Sequence, residues 1–471
     1  MSQITARQRG RHCDALHQHQ IFSALQHLPV RRCYEYDVGM NRAPGSMDRA
    51  LRSRAAAVIP GSLCGHQSVQ LLPDGYPQFF ARGKGARTWD VEGNEYLDLI
   101  CAHGVQLFGY ADEAIDAAAI EQLRRGEPLD GPTELLVSLA ERLTSLVTHA
   151  QWAMFCKNGT DATTMALMMA RAHTRRRVIV LAKGIYHGSG PWCTPVAAGT
   201  TLGERAHQIT CTYNNIETLD EAVESAGDDL AAVMMSPLKN DLFTDQALPD
   251  PAFARRAREL CNRHDALLIV DDVRCGLRLA RDCSWSAIGV HPDLSCWGKC
   301  IGNGYPISAL LGSESLRETA GSIFMTGSFW YAASPMAAAL VTLERVVTTN
   351  YLERLQLLGE QLREGLQQRA EAHGFAFRQS GPVQMPLFLF AEDTDLRLGF
   401  RWCSEMLRRG VYVHPWHNMF LSAALTPADI DTALVAAEGA FAALAACRAG
   451  LGPQEKMLAF FERRRLQLLA R

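Results

Sequence analysis

The clearest pattern along the chain is a series of short apolar runs, each ending in polar or glycine-rich residues, with helix-forming segments between them. Val178-Ile-Val-Leu-Ala182 passes into Lys-Gly-Ile-Tyr186-His187-Gly-Ser-Gly190, and Ala266-Leu-Leu-Ile-Val270 ends in Asp271-Asp272. Unbroken apolar runs of this length predict strands buried on both faces, as in a parallel sheet. Thr163-Thr-Met-Ala-Leu-Met-Met-Ala-Arg-Ala172 is rich in strong helix formers. From about residue 112 to 340 the two kinds of segment alternate. The predicted fold class is therefore α/β, a mainly parallel sheet with helices on both faces.

The flanking regions read differently. A helix at about 47–58 and short strands near 79–100 predict a contribution to a smaller domain. Ala337 to about Ala372 reads as one long helical stretch, clearest at Tyr351-Leu-Glu-Arg-Leu-Gln-Leu-Leu358, leading into a C-terminal α+β region. The expected division is a tail or arm over 1–46, an N-terminal segment of the small domain over 47–111, and a large domain over 112–340. The C-terminal small domain with a basic terminal helix from Met457 covers 341–471. Within the tail, Ile21-Phe-Ser-Ala-Leu-Gln-His-Leu28 fits a short amphipathic helix.

Composition narrows the function classes. A chain of 471 residues with 48% hydrophobic content can bury a large core. A net charge of −3 gives no reason to expect nucleic acid or an anionic membrane as partner. The fourteen cysteines contain no CxxC pair, which fits reduced, cytoplasmic usage and neither a disulfide framework nor a metal site. No apolar run in the sequence approaches the ~20 residues of a membrane span. There is no GxGxxG after a first strand and no Walker-type loop, which disfavours a nucleotide-dependent dehydrogenase.

The chemistry sits at the predicted strand ends. Ligands bind beyond the carboxyl ends of strands in open α/β sheets, so Asp271 is aimed at a site. Side chains alternate along a strand, so Asp271 and Asp272 should face opposite ways, one toward the site and one into the packing. Lys299 follows 28 positions after Asp271, in Trp297-Gly-Lys299-Cys-Ile-Gly-Asn-Gly304. That separation allows a helical crossover and a return strand that brings both to one sheet edge. A desolvated lysine loses its proton readily and becomes an amine nucleophile. Asn158-Gly159-Thr160 forms the N-terminal turn of the 163–172 helix, where exposed amides and a hydroxyl can cradle a phosphate; an ordinary N-cap satisfies the same pattern. Tyr186, on its glycine-rich loop, can stack on a planar ring or simply be core.

A phosphate turn, a Tyr-His-Gly loop, a strand-end aspartate and a Gly-Lys before a glycine turn, in this order, resemble the class III pyridoxal-phosphate aminotransferases. The likeness is strongest to the branch containing glutamate-1-semialdehyde aminomutase. Val58-Ile-Pro-Gly61, Trp89-Asp-Val-Glu-Gly-Asn-Glu-Tyr-Leu-Asp98 and Arg409-Gly-Val-Tyr-Val-His-Pro415 extend it over roughly residues 47–445. The resemblance implies the fold-type I architecture, a seven-stranded-type sheet with a smaller α+β domain drawn from both chain ends. It implies pyridoxal 5'-phosphate as cofactor, a Schiff base on Lys299, and Asp271 paired with the pyridine nitrogen. Asn158, Gly159 and Thr160 would hold the phosphate, Tyr186 would cover the ring, and His187 would stand among the cofactor-binding residues. A hydroxyl from a second subunit, matched by Ser328, would reach the phosphate, which requires a homodimer with shared active sites. The substrates would be a small-molecule amine and a carbonyl compound.

Several positions depart from the family pattern. The second acid of the usual Asp-Glu-Val is shortened to Asp272, Ser236-Pro237 stands where Glu-Pro is common, and Arg274 replaces a glutamine or methionine. The aminomutase's substrate-gripping arginine falls, by ungapped counting, on Ser68. Arg274 or Arg278 could substitute for it, while His66, His103, Trp330, His414 and His417 are possible pocket residues. An aminotransferase is the leading expectation. An intramolecular aminomutase and a non-catalytic cofactor-binding protein are the alternatives.

Overall fold

The computed structural model describes residues 45–63, 68–196 and 198–469. The expected helix over Ile21–Leu28, and His66, lie outside the described residues.

The described residues begin with a helix, Ser46–Val58, and then form β1 (Phe80–Lys84), β2 (Arg87–Asp90) and β3 (Glu95–Asp98). The central strands follow as β4 (Trp152–Cys156), β5 (Val178–Ala182), β6 (Gln208–Cys211), β7 (Leu230–Met235), β8 (Leu267–Asp271), β9 (Leu294–Trp297) and β10 (Ser308–Gly312). Toward the C-terminus come β11 (Phe377–Ser380), β12 (Leu387–Phe390) and β13 (Val411–Tyr412). Seven strands pair in the order β4-β10-β9-β8-β7-β5-β6, and only β10 runs antiparallel to its neighbours. Every residue of β5, β7 and β8 is buried, which is why their sequences read as continuous apolar runs. Each fully buried Leu, Ile or Val adds about 1.5–3 kcal/mol of hydrophobic driving force.

The topology sends the ends of β4, β5, β7, β8 and β9 to one edge of the sheet. Asp271 is the last residue of β8 and registers with Cys296 of the parallel neighbour β9, three positions before Lys299. The expected helical crossover between these two strands is not formed. Residues 272–293 instead run through turns and a single 3-10 turn at Ser286–Ile288, pinned by the buried Arg278 and by Asp272. A second sheet, β1-β2-β3-β13, joins strands from both ends of the described chain.

The long helical stretch is also interrupted. Ser334–Thr348 and Tyr351–Ala372 are separate helices: Thr349 is extended, and the Arg281 guanidinium donates to the Val346 and Thr349 carbonyls at the end of the first. No apolar run is unbroken over such a length, but among the described residues Pro427–Gly450 is by length and composition apolar enough to cross a membrane. Its composition has a simpler cause. The face bearing Ile430, Ala433, Ala437, Phe441 and Leu444 is buried against the helices Tyr351–Ala372 and Arg397–Arg408.

Candidate active site

The strand ends enclose a cavity of about 500 Å³, lined from five directions by segments following β4, β5, β7, β8 and β9. Lys299, Asp271, Asn158, Gly159, Thr160, Tyr186 and His187 all line it. Ser328 does not; it is exposed on the 323–331 segment.

Lys299 is placed by geometry unusual for its residue type. It follows β9 directly, opens a 3-10 turn, and has a φ of 46°, in the left-handed region. A non-glycine residue held there costs about 1–3 kcal/mol, which surrounding structure must supply. Neighbouring Cys300, Ile301 and Gly302 are buried and anchor the turn. Burial lowers the Lys299 pKa to about 8, helped by the Arg274 cation and opposed by the Asp271 carboxylate. Cys275, Cys296 and Cys300 flank the site as buried thiols whose pKa values burial raises, so they act as small core residues.

Asp271 is buried, and its Oδ2 accepts a 2.7 Å hydrogen bond from Nδ1–H of buried His187. The other ring nitrogen of His187 has no partner among the described residues, and the ring stacks near Trp192 at 6.5 Å. Asp272 points the opposite way, as strand alternation requires. Its carboxylate accepts from the Ser284 backbone N–H at 2.8 Å and from the Ser284 hydroxyl, and burial raises its pKa to about 6.

The helix Gly159–Thr174 begins at the cavity. Asn158 and Asp161 form a capping box, so the turn is an N-cap as well as a cavity wall. The Tyr186 loop is tied to the same helix: the Thr163 hydroxyl donates to the His187 carbonyl at 2.7 Å, and the Ser189 N–H donates to the Thr160 hydroxyl at 3.1 Å. Two glycines make this close approach possible. A Cβ on Gly159 would lie 2.6 Å from Val273 Cγ1, and one on Gly188 would lie 2.5 Å from Thr160 Oγ1.

Residues 73–430 match the family described as Aminotransferase class-III. The chain belongs to the class III aminotransferases. It is 51% identical over 411 residues to the aminopentol aminotransferase of Sphingopyxis macrogoltabida, covering 87% of this chain and 97% of that protein. It is 32% identical over 419 residues to the glutamate-1-semialdehyde 2,1-aminomutase of Desulforamulus reducens, covering 83% and 96%. Among solved structures, the pyridoxal-phosphate internal aldimine form of the FumI protein of Sphingopyxis sp. MTA144 superposes with a TM-score of 0.87. It is 50% identical, covering 88% of this chain and all of that one. This class III aminotransferase has the fold-type I architecture and is a pyridoxal-phosphate-dependent enzyme that moves an amino group between an amine and a carbonyl compound.

The structure separates the remaining pocket residues. Arg278 is fully buried, and its guanidinium donates to the carbonyls of Leu421, Gly104 and Gln106, which is a structural role. Arg274 lines the cavity. His103, His414 and His417 form an edge-to-face cluster at 5.2–6.3 Å and, like Trp330, do not line it. Ser68 is buried and accepts from the Gln70 N–H. Sequence reasoning noted Ser236 only as a departure from the family pattern and missed Leu238 and Asn240; all three follow β7 and line the cavity. The strand-end rule applied to Asp271 would have found them, because β7 is as apolar as β8.

Proposed function

We propose that this aminotransferase takes its amino group from an aminopentol-type primary amine, and that Lys299 is the residue that holds pyridoxal phosphate. The observation that carries the cofactor assignment is the single cavity joining a pKa-lowered lysine, the Asp271–His187 pair and a helix N-terminus approached by glycines. The donor class rests on the 51% likeness to the aminopentol aminotransferase and on Ser68 standing where an α-carboxylate arginine was expected.

The residues fit the cofactor chemically. The helix N-terminus at Asn158, Gly159 and Thr160 presents amides and a hydroxyl suited to a phosphate. Tyr186 offers an aromatic face to the ring. His187 orients the Asp271 carboxylate, which would hold a proton on the pyridine nitrogen. Bound there, pyridoxal phosphate supplies the electron sink for breaking the donor Cα–H bond. The Lys299 Nζ, neutral in a useful fraction of molecules, would take that proton, a role typically worth about 10² to 10⁴-fold.

We infer a homodimer in which Ser328 of a second copy completes the phosphate end of the cavity. Exposed Phe324 and Phe329, at 87% and 66%, flank Ser328 and offer an apolar surface to a second copy. The described cysteines are mostly buried and none is paired in a disulfide, a usage that fits the cytoplasmic setting we infer.

The test is purification followed by cofactor absorbance, solution mass and a donor screen with a keto acid present. Cofactor colour in the wild type, its loss of covalent attachment in Lys299→Ala, a dimer mass, and turnover of the aminopentol-type amine are expected. Attachment that survives Lys299→Ala would overturn the lysine assignment. Turnover confined to α-amino acids would overturn the donor class, and rearrangement with no keto acid present would indicate an aminomutase.

A further inference from the structure

The turn that carries Lys299 is bounded by two left-handed residues. Lys299 opens it at a φ of 46°, and Asn303 closes it at 42°. Glycine would meet the backbone demand at position 303 with no Cβ at all. Asparagine also visits this region, but what it adds is a side chain. That side chain is buried. Its carbonyl accepts from the N–H groups of Leu107 and Phe108, at 2.8 and 2.7 Å, and its amide donates to the Gly109 carbonyl at 3.1 Å. Both lone pairs of the amide oxygen are therefore used. A plain cap of the turn would not need them, because the Asn303 N–H already closes it on the Cys300 carbonyl at 3.2 Å.

The partners are a fixed anchor. Leu107 and Phe108 are buried, and the Ala423 N–H donates to the Leu107 carbonyl at 2.7 Å. Just beyond them, Gly85 and Tyr110 exchange two backbone hydrogen bonds of 2.8 Å. Arg278 holds the Gly104 and Gln106 carbonyls of the same segment, and Cys300 Sγ reaches the Gly104 carbonyl at 3.5 Å. The near end of the lysine turn is held as well, since it leaves β9 in the middle of the sheet. Its far end is tethered by Asn303. A strained residue persists only where its surroundings over-determine it, and Lys299 lies between these two fixed points.

We propose that Asn303 is a positioning residue for Lys299: its side chain ties the end of the lysine turn to residues 107–109, and this tether keeps the amine in the cavity at a strained backbone angle. This rests on the reading of Lys299 given under Proposed function. The charged and titratable groups acting on the amine are Arg274, Asp271, Cys300 and Arg278. Asn303 is uncharged, so it acts on the amine through placement and burial.

The test reads the amine itself. Full-length cofactor-free protein is trapped with propanal and cyanoborohydride from neutral to alkaline pH, comparing wild type with Asn303→Gly. That variant keeps the left-handed backbone accessible and removes only the tether. Its Lys299 midpoint should rise by at least about one pH unit as the amine regains solvent. In the holoenzyme kcat should fall about ten- to hundred-fold with the donor KM within about three-fold, the split of a misplaced reacting group. Asn214→Gly controls for stability alone. Asn214 is also left-handed, at a φ of 61°, and its side chain bonds the Leu248 carbonyl and the Asp250 N–H. This control should lower Tm and leave the midpoint in place. An unchanged midpoint in Asn303→Gly overturns the proposal, and so does an equal shift in Asn214→Gly.

If Asn303→Gly does not fold, hydrogen exchange of the wild-type holoenzyme decides. Tethered segments open together, so the Leu107 and Phe108 amides should exchange within about ten-fold of the Ile301 and Asn303 amides. Exchange at 107 and 108 that is faster by about a hundred-fold overturns the tether. Covalent cofactor that survives Lys299→Ala would fail the lysine assignment, while the trapping comparison would still report what Asn303 does to this amine.

Discussion

The amine of Lys299 should titrate near pH 8 in cofactor-free protein, against 10.5 for a solvated lysine. The lowering is worth about 3 kcal/mol at about 1.36 kcal/mol per unit. Desolvation is its largest cause, the Arg274 cation adds to it, and Asp271 opposes it. At pH 7 about 9% of a group with pKa 8 is neutral, against about 0.03% at 10.5, a gain of roughly 300-fold in nucleophile. The assay is reductive trapping of cofactor-free protein with propanal and cyanoborohydride across pH 6–11, with modified peptides quantified by mass spectrometry. Propanal is neutral, so its binding does not itself disturb the field, and exposed Lys183 serves as the internal reference. Trapping at Lys299 should rise with a midpoint near 8. A midpoint at or above 10 would refute the argument that burial and Arg274 activate this amine.

Two consequences follow from the same electrostatics. Arg274→Met removes a cation that lowers the Lys299 pKa, so the trapping midpoint should move upward. The sign for stability is equally definite. Between about pH 8 and 10.5 the unfolded chain holds a proton that folded Lys299 has released, so folded stability rises with pH there. Lys299→Met should therefore be more stable than wild type at pH 7, with the gap narrowing toward pH 10.

Asp272 gives the opposite dependence. Its pKa is raised from 3.8 to about 6, so its ionisation costs the folded state about 3 kcal/mol as pH rises through that window. The Tm of Asp272→Asn relative to wild type should climb between pH 4 and 7, and parallel Tm–pH curves would refute the raised pKa. Arg278→Met strips donors from three backbone carbonyls, at about 1–3 kcal/mol for each acceptor left unsatisfied. Chemical denaturation should show a loss of at least about 3 kcal/mol; a loss below 1 kcal/mol would mean that water replaces the side chain. Gly188→Ala puts a Cβ against Thr160 at a φ of 129° and should cost about 1–3 kcal/mol while weakening pyridoxal-phosphate affinity. Gly93→Ala, at a φ of 85° in open space, separates backbone strain from the Thr160 clash, and equal cofactor affinity in the two variants would refute the Gly188 argument.

The middle of the central sheet was legible because its strands are buried on both faces and so read as apolar runs too short for a helix. β5 and β8 appear in the sequence as unbroken apolar runs for that reason. What stayed hidden depended on contacts distant in sequence. The segment between β8 and β9 has the length of a helical crossover, yet it is held in turns by Arg278 reaching Leu421, 143 residues away. The break at Thr349 is capped by Arg281, which reaches the Val346 and Thr349 carbonyls from more than sixty residues away, a contact that helical periodicity does not register. Pro427–Cys447 shows the same limit, since its alanine-rich pattern reads as core or membrane until the helices against it are known.

The two sides of the cavity differ in legibility for a physical reason. The wall proposed for the cofactor is made where strand ends meet a helix N-terminus, so topology alone brings Asp271, Asn158 and Lys299 to one edge. Such residues carry a positional signature: an acid closing an apolar run, or a glycine opening a helix. The wall bearing Arg274 has none. Arg274 and Arg278 lie on one turn-rich segment, and their sequence context does not distinguish a ligand from a brace. Only the folded chain does, by giving Arg278 three backbone acceptors and Arg274 one amide. An arginine's role is thus set by which acceptors the fold withholds from it. At Arg274 no described carboxylate comes within ion-pair distance, and Asp271 acts on it only across the cavity in which Lys299 is desolvated.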